Sequence, residues 1–91
     1  MSYIIKYHEG VAQYDIPKLS KKYKQRVHLS IEQKLTSAPE LFGNPLRKSL
    51  KGYRKLRVGD YLVVYRIQSG TVLVLVIANR SVVYPLTGKR V

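Results

Sequence analysis

The 91-residue chain carries 17 Lys and Arg against 5 Asp and Glu, a formal net charge of +12, and 45% of its residues are hydrophobic. So short a chain buries only about two-thirds of its unfolded surface, which predicts one domain over residues 1–91 with any site on the outside of one small core. The apolar content puts the charge on a folded body and excludes a disordered basic tail. Cysteine is absent and His8 and His28 are the only imidazoles, which excludes a disulfide framework and thiolate metal sites and gives no basis for a metal or other cofactor. The first residues lack the apolar core of a signal peptide and residues 72–78 are too few to span a bilayer. The expectation is a cytoplasmic protein with no membrane contact and an anionic partner, of which nucleic acid is the commonest.

In chain order, residues 3–8 are rich in β-branched and aromatic types and read as a first strand, ended by Gly10. Asp15-Ile16-Pro17 reads as a break between two helices, with Asp15 as cap and Pro17 in the next first turn. Leu19, Tyr23, Val27, Ile31 and Leu35 then recur every fourth residue, which predicts a helix over residues 17–36 with Lys18, Lys21, Lys22, Lys24 and Arg26 on its outer face. Pro39 and Gly43-Asn44-Pro45 mark a loop whose Leu41, Phe42, Leu46 and Leu50 are expected to tuck against a sheet. Residues 53–58, 61–68 and 71–79 are strands joined by turns at Gly59-Asp60 and Ser69-Gly70, a three-stranded meander. The last strand is apolar on both faces, so it needs a neighbour on each side, and the N-terminal strand is expected on its free edge.

Pairing across Gly59-Asp60 places Leu56, Val58, Tyr61, Val63 and Ile67 on a packed face and Tyr53, Lys55, Arg57, Leu62, Val64 and Arg66 on the other. Parity sends Arg54 to the rim of the packed face. The second face combines cations with an aromatic ring, which suits phosphate contacts and base stacking. A solvated face that blocks edge aggregation is the competing reading, and the apolar Leu62 and Val64 argue against it by implying a partly enclosed concavity. His8 and His28 have no partner at ligand or triad spacing.

The run Pro45-Leu46-Arg47-Lys48-Ser49-Leu50-Lys51-Gly52-Tyr53-Arg54-Lys55-Leu56-Arg57-Val58-Gly59-Asp60-Tyr61, then Val63-Val64-Tyr65-Arg66-Ile67, then Ile77-Ala78-Asn79-Arg80 with Val83-Tyr84, resembles the RelE/ParE superfamily of type II toxin–antitoxin toxins, nearest the RelE-type mRNA interferases. The resemblance implies an α+β domain in which an N-terminal strand and a two-helix hairpin precede the meander, with helices packed on one face of one sheet. It also implies a metal-independent endoribonuclease acting on mRNA in the ribosomal A site, with an acidic antitoxin as partner. The toxin alone would be monomeric, with higher-order assembly alongside the antitoxin.

The implied chemistry is attack of a ribose 2′-OH on the adjacent phosphate, which needs a base, positive charge around the phosphate and an acid at the leaving oxygen. By position, Lys55 is the candidate base, a role that requires adjacent cations and apolar lining to favour its neutral form. Arg57 and Arg80 are candidate phosphate clamps, Arg80 also a candidate acid, and Tyr84 would stack on a base or orient the 2′-OH. Tyr53, Arg54 and Arg66 are further candidate RNA contacts, and the helix cations Lys18, Lys21, Lys22, Lys24 and Arg26 candidate contacts to ribosomal RNA. Parity turns Arg80 away from the groove unless the strand ends or bulges there. Leu62 stands where the family commonly has an Arg, so either Arg66 compensates or cleavage is slow or lost. The alternatives are a ParE-like inhibitor of DNA gyrase without nuclease activity and a weakened member that only binds its antitoxin.

Overall fold

The computed structural model describes residues 2–47 and 50–91. Met1 lies outside them, as do Lys48 and Ser49, which belong to the stretch that carries the resemblance. Strand β1, Ile4–Tyr7, is followed by a π-helical segment, Val11–Asp15, that runs into the single turn of α1, Ile16–Lys18. Helix α2, Lys21–Ser30, continues as a second π-helical segment, Ile31–Leu35. A two-residue strand β2, Asn44–Pro45, precedes the meander β3, Arg54–Val58, β4, Tyr61–Gln68, and β5, Thr71–Asn79, and helix α3, Val83–Arg90, closes the order. The sheet runs β1-β5-β4-β3-β2. The meander is antiparallel, and β1 lies parallel to the free edge of β5, Ile4 opposite Thr71 through Tyr7 opposite Val74, as its two apolar faces require. At the β4–β5 turn Ser69 and Gly70 both take positive φ, 43° and 80°, the twist that a two-residue hairpin loop needs.

The helix expected over 17–36 is two pieces. Leu19 is extended, with ψ 144°, and Ser20 caps α2 by accepting the Tyr23 N–H at its Oγ, 3.3 Å. The break therefore falls at Leu19-Ser20, where a serine can satisfy a free donor, and not at Asp15-Ile16-Pro17. Asp15 is itself helical and caps nothing; its carboxylate is buried against β5 and α3. A strict four-residue apolar spacing drifts ~40° per step around an α-helix, and the wider turns of the segment Ile31–Leu35 bring Ile31 and Leu35 back into line, both buried.

Two cores result. Val11, Leu19, Val27, Ile31 and Leu35 pack on Leu56, Val58, Val63, Tyr65, Val72 and Ile77, the face assigned to the two N-terminal helices. The opposite face is covered by α3, which the apolar periodicity did not mark: Val83 and Leu86 pack on Leu46, Leu62, Val64, Val76 and Ala78. Leu75 is an extra residue in β5, since Val64 pairs with Val76 and Tyr65 with Val74. Leu62 and Val64 are apolar because a helix covers them.

Candidate active site

A groove of about 640 Å³ opens at the Gly59 end of the meander. Lys55, Arg57 and Leu62 reach it from β3 and β4, Gly59 and Asp60 from the turn, Leu41 to Asn44 from the preceding loop, and Arg80 and Tyr84 from the chain after β5. Two-residue alternation puts Lys55 and Arg57 on one face of β3. The Lys55 Nζ donates to the Tyr84 hydroxyl at 2.7 Å and lies 5.4 Å from the centre of its ring. Tyr84 stands in the first turn of α3, so the helix that covers Leu62 and Val64 also delivers the phenol to the lysine. The Arg57 Nε donates to the Gly59 carbonyl at 3.0 Å, which fixes the base of its guanidinium along the turn.

Arg80 reaches the groove because the strand ends just before it. Asn79 is the last residue of β5, opposite Tyr61, and its side-chain oxygen accepts from both the N–H and the hydroxyl of Ser81 at 3.0 Å, an Asx-type turn that redirects the chain. The Arg80 N–H donates to the Asp60 carbonyl at 3.2 Å, so the residue is tied to the same hairpin as Arg57. Three cations and a tyrosine therefore surround a floor at Leu62, which is 8% exposed. Among the described residues no group of three or more His, Cys, Asp or Glu could hold a metal ion, and no helix is long and apolar enough to cross a membrane.

A family model described as the ParE toxin of the type II toxin–antitoxin system parDE matches residues 5–84. The chain belongs to this family. It is a toxin of the RelE/ParE superfamily. It is 44% identical over 52 residues to Toxin RelE of Mycobacterium tuberculosis, a match spanning 55% of this chain and 54% of that protein, so the chain spans about half the length of the curated relative it matches. The crystal structure of the toxin–antitoxin complex RelBE2 of M. tuberculosis is similar at a TM-score of 0.81 and 28% identity, covering 89% of this chain and 94% of that one. A mutant of Escherichia coli toxin RelE in the free state shares the fold at a TM-score of 0.78 and 23% identity, with 100% and 99% coverage. The chromosomal ParDE system of Pseudomonas aeruginosa shares it at 0.61 and 15%, with 86% and 96% coverage.

In this RelE/ParE toxin the other sequence-derived candidates lie elsewhere. Tyr53 and Arg66 pair with each other at the far end of the hairpin, guanidinium 5.9 Å from the ring centre, outside the groove lining. Arg66 therefore does not stand in for a cation at Leu62. Arg54 donates to the carbonyls of Glu40 at 3.1 Å, Gly43 at 3.2 Å and Phe42 at 3.5 Å, a fastening for the loop. Lys18, Lys21, Lys22, Lys24 and Arg26 are exposed on the helices of the opposite face. Arg26 comes nearest: it lies 5.3 Å from the Tyr23 ring centre, and the two crowd Gly59, where a Cβ would sit 3.0 Å from the tyrosine and 3.2 Å from the guanidinium. With φ +60° and two side chains close by, position 59 favours glycine.

The expectation that Leu41 and Phe42 tuck against the sheet is not met. Leu41 is 78% exposed and both residues line the groove. Their signal in the sequence, Gly43-Asn44-Pro45, marks a loop without saying which side it shows to solvent. The loop is decided by Arg54 and by Tyr65, whose hydroxyl lies against the carbonyls of Pro39, at 2.8 Å, and Phe42. Burial pushes the Tyr65 phenol above its ordinary pKa, against the lowering pull of Arg54.

Proposed function

We propose that this toxin is a ribosome-dependent endoribonuclease that cuts mRNA in the ribosomal A site, and that an acidic antitoxin neutralises it. The observation that carries the reading is the contact of Lys55 with Tyr84 in a groove that the guanidinium-bearing residues Arg57 and Arg80 also line. In-line attack of a 2′-OH on the neighbouring phosphorus forms a 2′,3′-cyclic phosphate and expels the 5′ oxygen, so it needs one proton removed, one delivered and the phosphorane charge held. The hydrogen-bonded Lys55–Tyr84 pair suits the removal, with Lys55 as the base and Tyr84 orienting the hydroxyl. Arg57 and Arg80 suit the phosphate, since both guanidinium-bearing residues line the groove and stay protonated. Arg80 is the candidate for the leaving-group side. The outer lysines of α1 and α2 and the net charge of +12 suit docking on ribosomal RNA. An antitoxin partner is supported by the M. tuberculosis complex and by the Pyrococcus horikoshii RelE–RelB complex, similar at 25% identity and a TM-score of 0.66 over 88% of this chain and 97% of that one.

The test is primer extension on a message translated in a purified system. Cuts are expected only when ribosomes are present, and Lys55→Met and Arg80→Ala should each slow them by about a hundredfold. Cleavage by the double variant at the parent rate would overturn the site. The match to a ParE model and the leucine at position 62 favour one second reading, inhibition of DNA gyrase. Expression would then damage DNA and leave messages whole.

A further inference from the structure

The loop between α2 and β2 buries Pro39 but carries Leu41 and Phe42 at the surface. Leu41 is 78% exposed and Phe42 36%, and both line the groove that Lys55, Arg57 and Arg80 also line. Large apolar groups cost free energy in water, so a loop free to choose would turn them in. This loop is not free. The Tyr65 hydroxyl and the Arg54 guanidinium between them engage the carbonyls of Pro39, Glu40, Phe42 and Gly43, and the Leu41 N–H donates to Ala38 at 3.0 Å. Gly43, at φ +75°, lies so close to β3 that a Cβ there would meet the Lys55 carbonyl at 2.7 Å. The backbone is thereby clamped beside the candidate base with the Leu41 and Phe42 side chains facing out.

We infer that this lip, Phe42 with Leu41 at its edge, is a stacking platform for one nucleobase of the bound message, next to the phosphate held by Arg57 and Arg80. The inference rests on the RNA-cleavage reading of the same groove. A ligand that satisfies the groove must present anionic charge to Lys55, Arg57 and Arg80 and a flat apolar group to Phe42, all of which line the same groove. A nucleotide has that composition. The ammonium of Lys34 lies 5.6 Å from the Phe42 ring centre and steadies the ring through its π-cloud. Because every base has a π-face, the platform fixes the position of the chain beside the scissile bond without choosing the base.

The test is a two-by-two cycle on programmed ribosomes under single-turnover conditions. It pairs the parent toxin and Phe42→Ala with an intact message and with messages carrying an abasic nucleotide at each position of the A-site codon in turn. Phe42→Ala is expected to slow cleavage of the intact message by about tenfold to a hundredfold. At one abasic position parent and variant should cleave at equal rates, since the partner of the ring is gone. Equal slowing on all messages, or none, overturns the platform while leaving the nuclease reading intact. Unchanged cleavage with weakened hold on the cognate antitoxin also overturns it and assigns the lip to a protein partner. If the parent toxin cuts no message, the nuclease reading fails and the platform falls with it. Phe42→Leu separates a π-face from mere bulk: recovery of the full parent rate by leucine would overturn the platform.

Discussion

Arg90 grips Asp15 with both ends of its guanidinium, Nη1 to Oδ2 at 2.6 Å and Nη2 to Oδ1 at 2.9 Å, joining the last turn of α3 to the first helical segment across the edge of β5. β1 ends opposite Val74, so beyond it the edge of β5 has no strand partner. The pair supplies one: Asp15 accepts the Ile77 N–H at 2.9 Å and Arg90 donates to the Leu75 carbonyl at 3.0 Å. Gly10 makes room, since a Cβ there would lie 2.7–2.9 Å from the guanidinium.

The two side chains are 3% and 10% exposed, so removing one strands the other in a dry setting. Arg90→Met is expected to lower the free energy of unfolding by about 3–5 kcal/mol, read from urea midpoints, and Asp15→Leu with Arg90→Met should lower it by less than the single changes summed. Additive losses would show that the two act separately.

Helix α2 begins with Lys21 and Lys22 and has no acidic residue in its first turn, where the helix dipole disfavours cations. Lys21→Glu with Lys22→Glu is expected to raise stability by ~0.3–1 kcal/mol per site and to weaken ribosome binding with a shallower salt dependence. A rise in stability with unchanged ribosome affinity would remove α2 from the docking surface.

Leu62 faces Arg57 across the hairpin and closes the groove floor. Leu62→Arg is expected to speed cleavage, by up to about a hundredfold if the added guanidinium meets the phosphate, and to cost stability because the leucine packs with Val64, Ala78 and Val83. Rates measured alongside thermal unfolding separate the two. A stable variant without faster cleavage would show that the phosphate does not pass over position 62.

Tyr65 holds its proton more tightly when folded, chiefly because it is buried. Its contribution to stability is therefore complete below the ordinary phenol pKa of 10.0 and is lost as pH rises through the higher folded value. Unfolding midpoints above about pH 10 should fall less steeply in Tyr65→Phe than in the parent. Parallel curves would place the alkaline transition on other tyrosines.

The meander, its turns and the sides taken by Lys55 and Arg57 were legible because strand alternation has a period of two and Gly59 and Gly70 fix where each hairpin reverses. The neighbours of β5 were legible from its apolar run. Helix α3 was not, since Val83-Tyr84-Pro85-Leu86-Thr87-Gly88 contains a proline and a glycine and gains its helicity from packing on the sheet. The Leu41–Phe42 lip was not legible either, because what holds it outward is a set of side-chain bonds from Arg54 and Tyr65, 11 to 26 positions away. Asp15 looked like a cap because its partners, Ile77 and Arg90, lie 62 and 75 positions on.

Lys55 meets Tyr84 across 29 positions of chain, with two strands in between. At ordinary rates of synthesis that interval is roughly 1.5–6 s. Until its end the emerging chain has the lysine of β3 but neither the tyrosine nor the helix that seats it, so the groove lacks a wall. The groove is therefore complete only once α3 has been made and has packed on the sheet.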